Sequence, residues 1–344
     1  MNRIARTSLS RRSLLGGIMS STAASSFAIA QGREKVTFGT SWLAQAEHGG
    51  YYQALADGTY DRFGLDVTIL PGGPQNNNRR LLSAGRIDFC MGSNLLQAFS
   101  AVEQNIPTVV VAAMFQKDPQ VLIAHPGQGI EQFSDLQTLP TLFISKEGAI
   151  SYFQWLKKDY GFRDEQLKLY TFNPQPFIAD KRSAMQGYLT SEPFSIQRMA
   201  GFQPKVFLLA DYGYDTYAST IETTSRLVKE RPATCQKFIE ASIAGWYNYL
   251  YADNSAANAL IKKHNTEISD DAIAYAVGQI KAQGIVDSNQ TNISGIGAMD
   301  EARVKSFFDR MVRAGVQTPA IDWRHAVDTR FVNKGFGMEL RRPI

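Results

Sequence analysis

Short apolar runs alternate with amphipathic stretches along the first two thirds of the chain. Residues 36–40, 65–70, 87–91 and 108–113 are brief runs rich in β-branched or aromatic side chains, which predicts strands. Between them, 49–57 carries Tyr51, Ala54 and Leu55 at helical spacing, with Gly58 placed to stop a helix. Residues 77–84 predict a second helix, and Gly92-Ser93-Asn94 opens a third that ends near Asn105. The pattern resets at 116–120. Strands are then expected at 121–124, 142–145, 167–172, 184–189 and 206–210, with helices at 148–160, 177–182 and 193–200. From Tyr217 onward the periodicity is helical, clearest in 235–251, 270–283 and 300–314, with a Gly/Asn/Ser-rich loop at 284–297.

This order predicts an α/β fold of mostly parallel sheets with helices on both faces. The reset implies two lobes, 31–117 with 212–344 and 118–211, joined by two crossover segments near 116–119 and 211–214. In open α/β sheets ligands sit outside the carboxyl ends of the strands. That rule selects Trp42 with His48, Gly72-Gly73 and Ser93-Asn94 in one lobe. In the other it selects Ser145 to Gly148, Asn173 and Tyr188 to Glu192. Two such crevices facing each other make a cleft able to close.

Composition changes the picture at the amino end. Residues 1–30 hold four arginines and no acidic residue, then a short apolar run and Ala28-Ile29-Ala30, the layout of a cleaved export signal. Arg11-Arg12 followed by Ser13-Leu14-Leu15 resembles a twin-arginine signal, and an ordinary secretory signal is the other reading. A periplasmic protein is expected, with cleavage near Ala30 and no membrane span. The chain has 36 Lys+Arg against 32 Asp+Glu, and removing the leader leaves 32 against 32. A balanced surface gives no electrostatic case for nucleic acid. Cys90 and Cys235 read as two small buried hydrophobes, although the compartment would permit a disulfide. The four histidines are scattered without metal-ligand spacing, and no nucleophile elbow or phosphate loop occurs. No catalytic residue, metal or cofactor is expected.

The order Trp42, His48, Gly49 and Tyr51, then Gly58, Tyr60, Gly64-Leu65-Asp66-Val67, Ile69 and Pro71-Gly72-Gly73, resembles the periplasmic solute-binding proteins related to thiamine-pyrimidine synthases. Ala84-Gly85-Arg86-Ile87-Asp88-Phe89 and Gly187-Tyr188-Leu189-Thr190-Ser191-Glu192-Pro193 continue the resemblance over nearly the whole chain after the leader. It implies a two-lobed type II periplasmic-binding-protein fold. Such a protein closes on a small molecule and hands it to an ABC permease and its ATPase, and a monomer is expected. The synthases of this group carry a cysteine-rich stretch and a cofactor-binding lysine. This chain has no cysteine cluster, which argues against synthesis.

The candidate contacts have distinct chemistry. Trp42 can stack on a heteroaromatic ring, or cap the sheet as a core residue. His48 can donate to a ring nitrogen or carbonyl, or cap a helix. Tyr51 is one helical turn on, so both can look into the cleft. Glu192 selects amino or ring N–H donors and repels sulfonate or nitrate, unless it merely complements a helix N-terminus. Tyr188 offers a second ring face, and Asn173 an amide or a turn before Pro174. Gly72-Gly73 and Gly148-Ala149 offer backbone N–H groups to an anion, with Ser145 nearby. A nitrogen heterocycle such as a thiamine-type pyrimidine precursor or a flavin is the expected ligand. A sulfonate, nitrate or aromatic acid is the alternative.

Overall fold

The computed structural model describes residues 32–73 and 77–341. The export signal expected over 1–30 lies outside the described residues, as does Pro74 of the expected turn.

Ten strands form two five-stranded sheets. The first contains β1 (Glu34–Gly39), β2 (Leu65–Leu70), β3 (Phe89–Asn94), β4 (Thr108–Phe115) and β10 (Ala218–Thr224), in the order β2-β1-β3-β10-β4. The second contains β5 (Gln120–Ala124), β6 (Thr141–Ile144), β7 (Leu167–Leu169), β8 (Ser183–Tyr188) and β9 (Lys205–Leu208), in the order β7-β6-β8-β5-β9. Four strands of each sheet share one direction and one is reversed: β10 in the first, β5 in the second. The reversed strands are the two that follow the crossings, from β4 to β5 and from β9 to β10. A chain entering a sheet from the side where its parallel strands end must run against them. The crossings therefore mark the carboxyl edges of both sheets as facing one another.

The strand at Ala218–Thr224 corrects the helical expectation after Tyr217. Several of its buried residues are polar, alongside the apolar Ala218 and Ile221. Thr220, Glu222 and Thr223 are all buried, and Glu222 receives Arg79 through two hydrogen bonds of 2.9 and 2.7 Å. β4 lies at the edge of its sheet yet is buried throughout. Bridges from Val110 to Val327 and from Ala113 to Gly297 cover its open side, which protects an edge that would otherwise template aggregation.

Two boundaries moved in ways that matter. β3 runs through Asn94, so Gly92-Ser93-Asn94 is strand rather than the opening of a helix. The helix Leu95–Glu103 follows, with the Asn94 side chain accepting the Leu96 N–H at 3.1 Å. β7 stops at Leu169, well short of 172, because Phe172 adopts a left-handed backbone, φ 62°.

The Gly-Gly pair of the opening helix has a packing cause. Helix Gly49–Ala56 lies against helix Pro232–Tyr251. A Cβ on Gly49 would fall 2.0 Å from the Tyr249 ring, and one on Gly50 would fall 2.2 Å from the Trp246 ring. Both cysteines are free and buried. Among the described residues no helix is long and apolar enough to cross a membrane. The crossings themselves are tied together by Arg303, which donates to the Gln116 carbonyl and to Asp215, each at 2.6 Å, and lies over the Tyr217 ring at 4.1 Å.

Candidate functional site

Side chains from the two sheets meet at their carboxyl edges. Trp42, just beyond β1, is half-buried, and its ring lies 5.2 Å from that of Phe172, beyond β7. Glu47 follows in the same connection as Trp42, inside the 3-10 turn Ala46–His48, and is 4% exposed. Its Oε1 accepts the Thr190 hydroxyl, which comes from the turn after β8, at 2.5 Å. Asn94, ending β3, donates to Asp118 in the first crossing at 3.3 Å. Ser93 lies close to the Tyr188 side chain, at the end of β8.

Three carboxylates converge here, and among the described residues their hydrogen-bond partners are uncharged. Asp118 accepts the Gln120 N–H and the Asn94 amide. Glu192 accepts the Tyr188 N–H at 2.7 Å and the Ser191 hydroxyl at 2.5 Å, both through Oε2. Glu47 has Thr190. Burial pushes the Glu47 carboxyl up to about 7, with the nearby Glu192 charge adding to the rise and the Thr190 hydrogen bond opposing it. Burial likewise pushes Asp118 up to about 6, against its two hydrogen bonds. Glu192 is raised by burial, offset by Ser191 and the Tyr188 amide. The Tyr188 phenol is raised by burial first, then by the charges of Asp118, Glu47 and Glu192, so it stands within reach of all three. The Tyr214 hydroxyl, on the return crossing, is buried without a well-formed hydrogen bond and feels Asp118, Tyr152 and Tyr188.

His48 is buried, and among the described residues its Nδ1 has no hydrogen-bond partner. Burial pushes its pKa down to about 3, so the ring is neutral at physiological pH and offers one open position. It does not cap the helix that follows it.

Several sequence candidates are occupied elsewhere. Tyr51 is fully buried in the core, its ring 4.5 Å from Phe38 and 6.0 Å from Trp246, and it does not line the cleft. Helical spacing put it on one face with His48, but that face is turned into the protein. Asn173 is exposed, and its side chain accepts the Gln175 N–H at 3.0 Å, which is the turn reading. The Gly72 N–H donates to the Trp42 carbonyl at 3.0 Å, so it is not free for an anion, while Gly73 stays half-buried beside Leu43. Ser145 is buried and caps its own short helix through the Gly148 N–H at 3.1 Å. Ser93, Asn94, Tyr188 and Glu192 are brought together, Trp42 is joined to them through Phe172 and Tyr170, and His48 is near Trp42 in the chain. Glu47, Asp118, Phe172 and Tyr214 were missed. Glu47 had a signal, an acidic residue between Ala46 and His48 inside a strand-to-helix connection.

Because it is half-buried, Trp42 makes a clear stability test. Trp42→Ala is expected to cost well under the roughly 3–5 kcal/mol of a core tryptophan. Chemical unfolding without ligand checks this, and a core-sized loss would make the ring structural.

The pattern of the NMT1/THI5-like family matches residues 45–257, more than half of the chain. The chain belongs to that family. Among its curated relatives is the riboflavin-binding protein RibY of Chloroflexus aurantiacus, 22% identical over 310 residues, covering 88% of this chain and 87% of RibY. Another is the 4-amino-5-hydroxymethyl-2-methylpyrimidine phosphate synthase of Schizosaccharomyces pombe. It is 25% identical over 116 residues, which cover 34% of this chain and 33% of the synthase. Among solved structures, this NMT1/THI5-like chain matches the ligand-binding component of an ABC-type import system from Staphylococcus aureus, with TM-score 0.64, 12% identity and coverage of 88% and 99%. It also matches the periplasmic aliphatic sulphonate binding protein SsuA from Escherichia coli, with TM-score 0.63, 13% identity and coverage of 86% and 92%. At these identities the structural matches establish the two-sheet binding-protein fold.

Proposed function

We propose that this protein is an extracytoplasmic solute-binding protein that delivers a small, donor-bearing nitrogen heterocycle to an ABC permease and its ATPase. A thiamine-type pyrimidine precursor or a flavin fits best. The observation that carries the reading is the set of three carboxylates, Glu47, Asp118 and Glu192, held among uncharged partners where the two sheets meet. When ionised, these groups accept hydrogen bonds and repel anions, so above the raised Glu47 and Asp118 values such a site favours amino and ring N–H groups over sulfonate or nitrate. Trp42 supplies a flat apolar face beside it. The names of RibY and of the pyrimidine phosphate synthase support a heterocycle, and the S. aureus match supports delivery to an importer. The lobes 31–117 with 212–344 and 118–211 close on the ligand about the two crossings.

Glu192→Gln tests the ligand class. It keeps the shape, removes the charge and adds a donor. A donor-bearing heterocycle, with riboflavin and 4-amino-5-hydroxymethyl-2-methylpyrimidine as calorimetric probes, should bind about 10- to 100-fold more weakly, the loss of one charged hydrogen bond. An alkanesulfonate that binds the wild type, and binds the variant equally well or better, would defeat the heterocycle reading.

A further inference from the structure

Phe172 combines two features that a merely structural aromatic residue does not combine. Its backbone is left-handed, φ 62°, a region that bulky side chains rarely adopt, and its side chain is 47% exposed. Large apolar exposure and backbone strain at one residue are both unfavourable, and they persist where the surroundings fix them. Here the surroundings do so on both sides. Tyr170 donates its N–H to the Ile144 carbonyl at 3.0 Å, extending β7's alignment up to the kink. Beyond it, the Asn173 side chain closes a turn on the Gln175 N–H, and Pro174 leads into helix Gln175–Ala179.

The strain delivers the ring to one place. The Phe172 ring lies 5.5 Å from that of Tyr170 and 5.2 Å from that of Trp42, the two pairs tilted by 54° and 47°. Tyr170 is in turn close enough to Glu192 for that charge to raise its phenol further. A line of rings therefore runs from the carboxylate site to Trp42, and its last contact joins elements of the two sheets.

We infer that Phe172 is the second stacking face of the ligand site, contributed by the sheet opposite Trp42, so that a flat heterocycle is held between the two rings. The inference rests on the heterocycle reading above. Rings stack with centroids about 4.5–7 Å apart. At 5.2 Å the two side chains touch each other, so a ring entering between them must part them by about one ring thickness and bring their planes toward parallel. That motion is an opening at the cleft and not a rearrangement of either sheet.

Three variants separate the ring from the backbone. Phe172→Ala removes the ring and keeps the strain, Phe172→Gly removes both, and Phe172→Tyr keeps the ring. Binding of riboflavin and of 4-amino-5-hydroxymethyl-2-methylpyrimidine is measured by calorimetry well below each variant's melting temperature. For whichever probe the wild type binds, the Ala and Gly variants are expected to lose about tenfold in affinity, and Tyr to stay within about twofold. The Gly variant should melt no lower than the Ala variant, since glycine adopts a positive φ freely. Wild-type affinity in either ringless variant overturns the inference and leaves the heterocycle reading standing. Binding of neither probe to the wild type defeats both.

Discussion

Glu222→Ala is expected to destabilise the protein by about 3–5 kcal/mol, the loss typical of breaking a buried ion pair from one side. The Glu222 side chain is 1% exposed and that of Arg79 20% exposed, and the pairing is two-pronged, which fixes the helix Asn78–Ser83 against β10. Gly92 on the neighbouring strand leaves the space the carboxylate occupies, since a Cβ there would fall 2.1 Å from Glu222 Oε1. Truncation strands the Arg79 guanidinium against the sheet with no anion. Urea unfolding measures the loss. The double replacement Arg79→Met with Glu222→Leu should recover much of it, because two apolar groups leave no unpaired charge. A single variant within about 1 kcal/mol of wild type would show that water solvates Arg79 and that the pair contributes little.

The second large effect concerns pH. The Glu47 carboxyl rises from an ordinary 4.5 to about 7 on folding, so the folded protein holds a proton that the unfolded chain releases. Its contribution is fully present below about pH 4.5 and is lost as pH rises through 7, an amount near 3 kcal/mol. Asp118, raised to about 6, acts in the same direction over a lower window. His48 acts oppositely: held near 3 in the fold, it favours the native state above pH 6.5 and loses that advantage as pH falls. Wild-type stability alone therefore mixes these groups with others, the raised Glu192 among them. Glu47→Gln separates one of them, because glutamine cannot ionise. Measured against wild type, the variant should gain about 3 kcal/mol in relative stability between pH 4.5 and 8, following the Glu47 shift. A gap that does not change with pH would mean that Glu47 titrates normally.

How legible these features were in the sequence depended on what each residue faces. β2 was read with its final boundaries because Leu65, Val67 and Ile69 alternate with exposed positions. β10 was missed because polar side chains interrupt its apolar ones, and Glu222 and Thr223 find their partners, Arg79 and the Asp88 carbonyl, far away in the chain. The rule that ligands sit at strand ends selected Trp42, Asn94, Tyr188 and Glu192, which do lie at or just beyond strand ends, since it depends only on where strands stop. It could not tell a strand-end side chain closing its own turn, as Asn173 and Ser145 do, from one left for a ligand. Periodicity placed His48 and Tyr51 on one helix face without saying that the face is buried. Glu47 and Asp118 were not singled out because the partners that mark them, Thr190 and Asn94, lie far away in the chain. Phe172 read as the end of a strand because a left-handed backbone at phenylalanine leaves no mark in a propensity.

The proposed ligand is a donor-bearing heterocycle rather than an anion. Native mass spectrometry of the protein purified from its own host compartment tests this most directly, because the bound mass and its elemental composition name the ligand without assuming a class. A small nitrogen-rich heterocycle is expected to dissociate from the wild type, and to be found at lower occupancy in Glu192→Gln and Phe172→Ala preparations. A bound sulfonate, nitrate or aromatic acid, retained in the Glu192→Gln preparation, would contradict it.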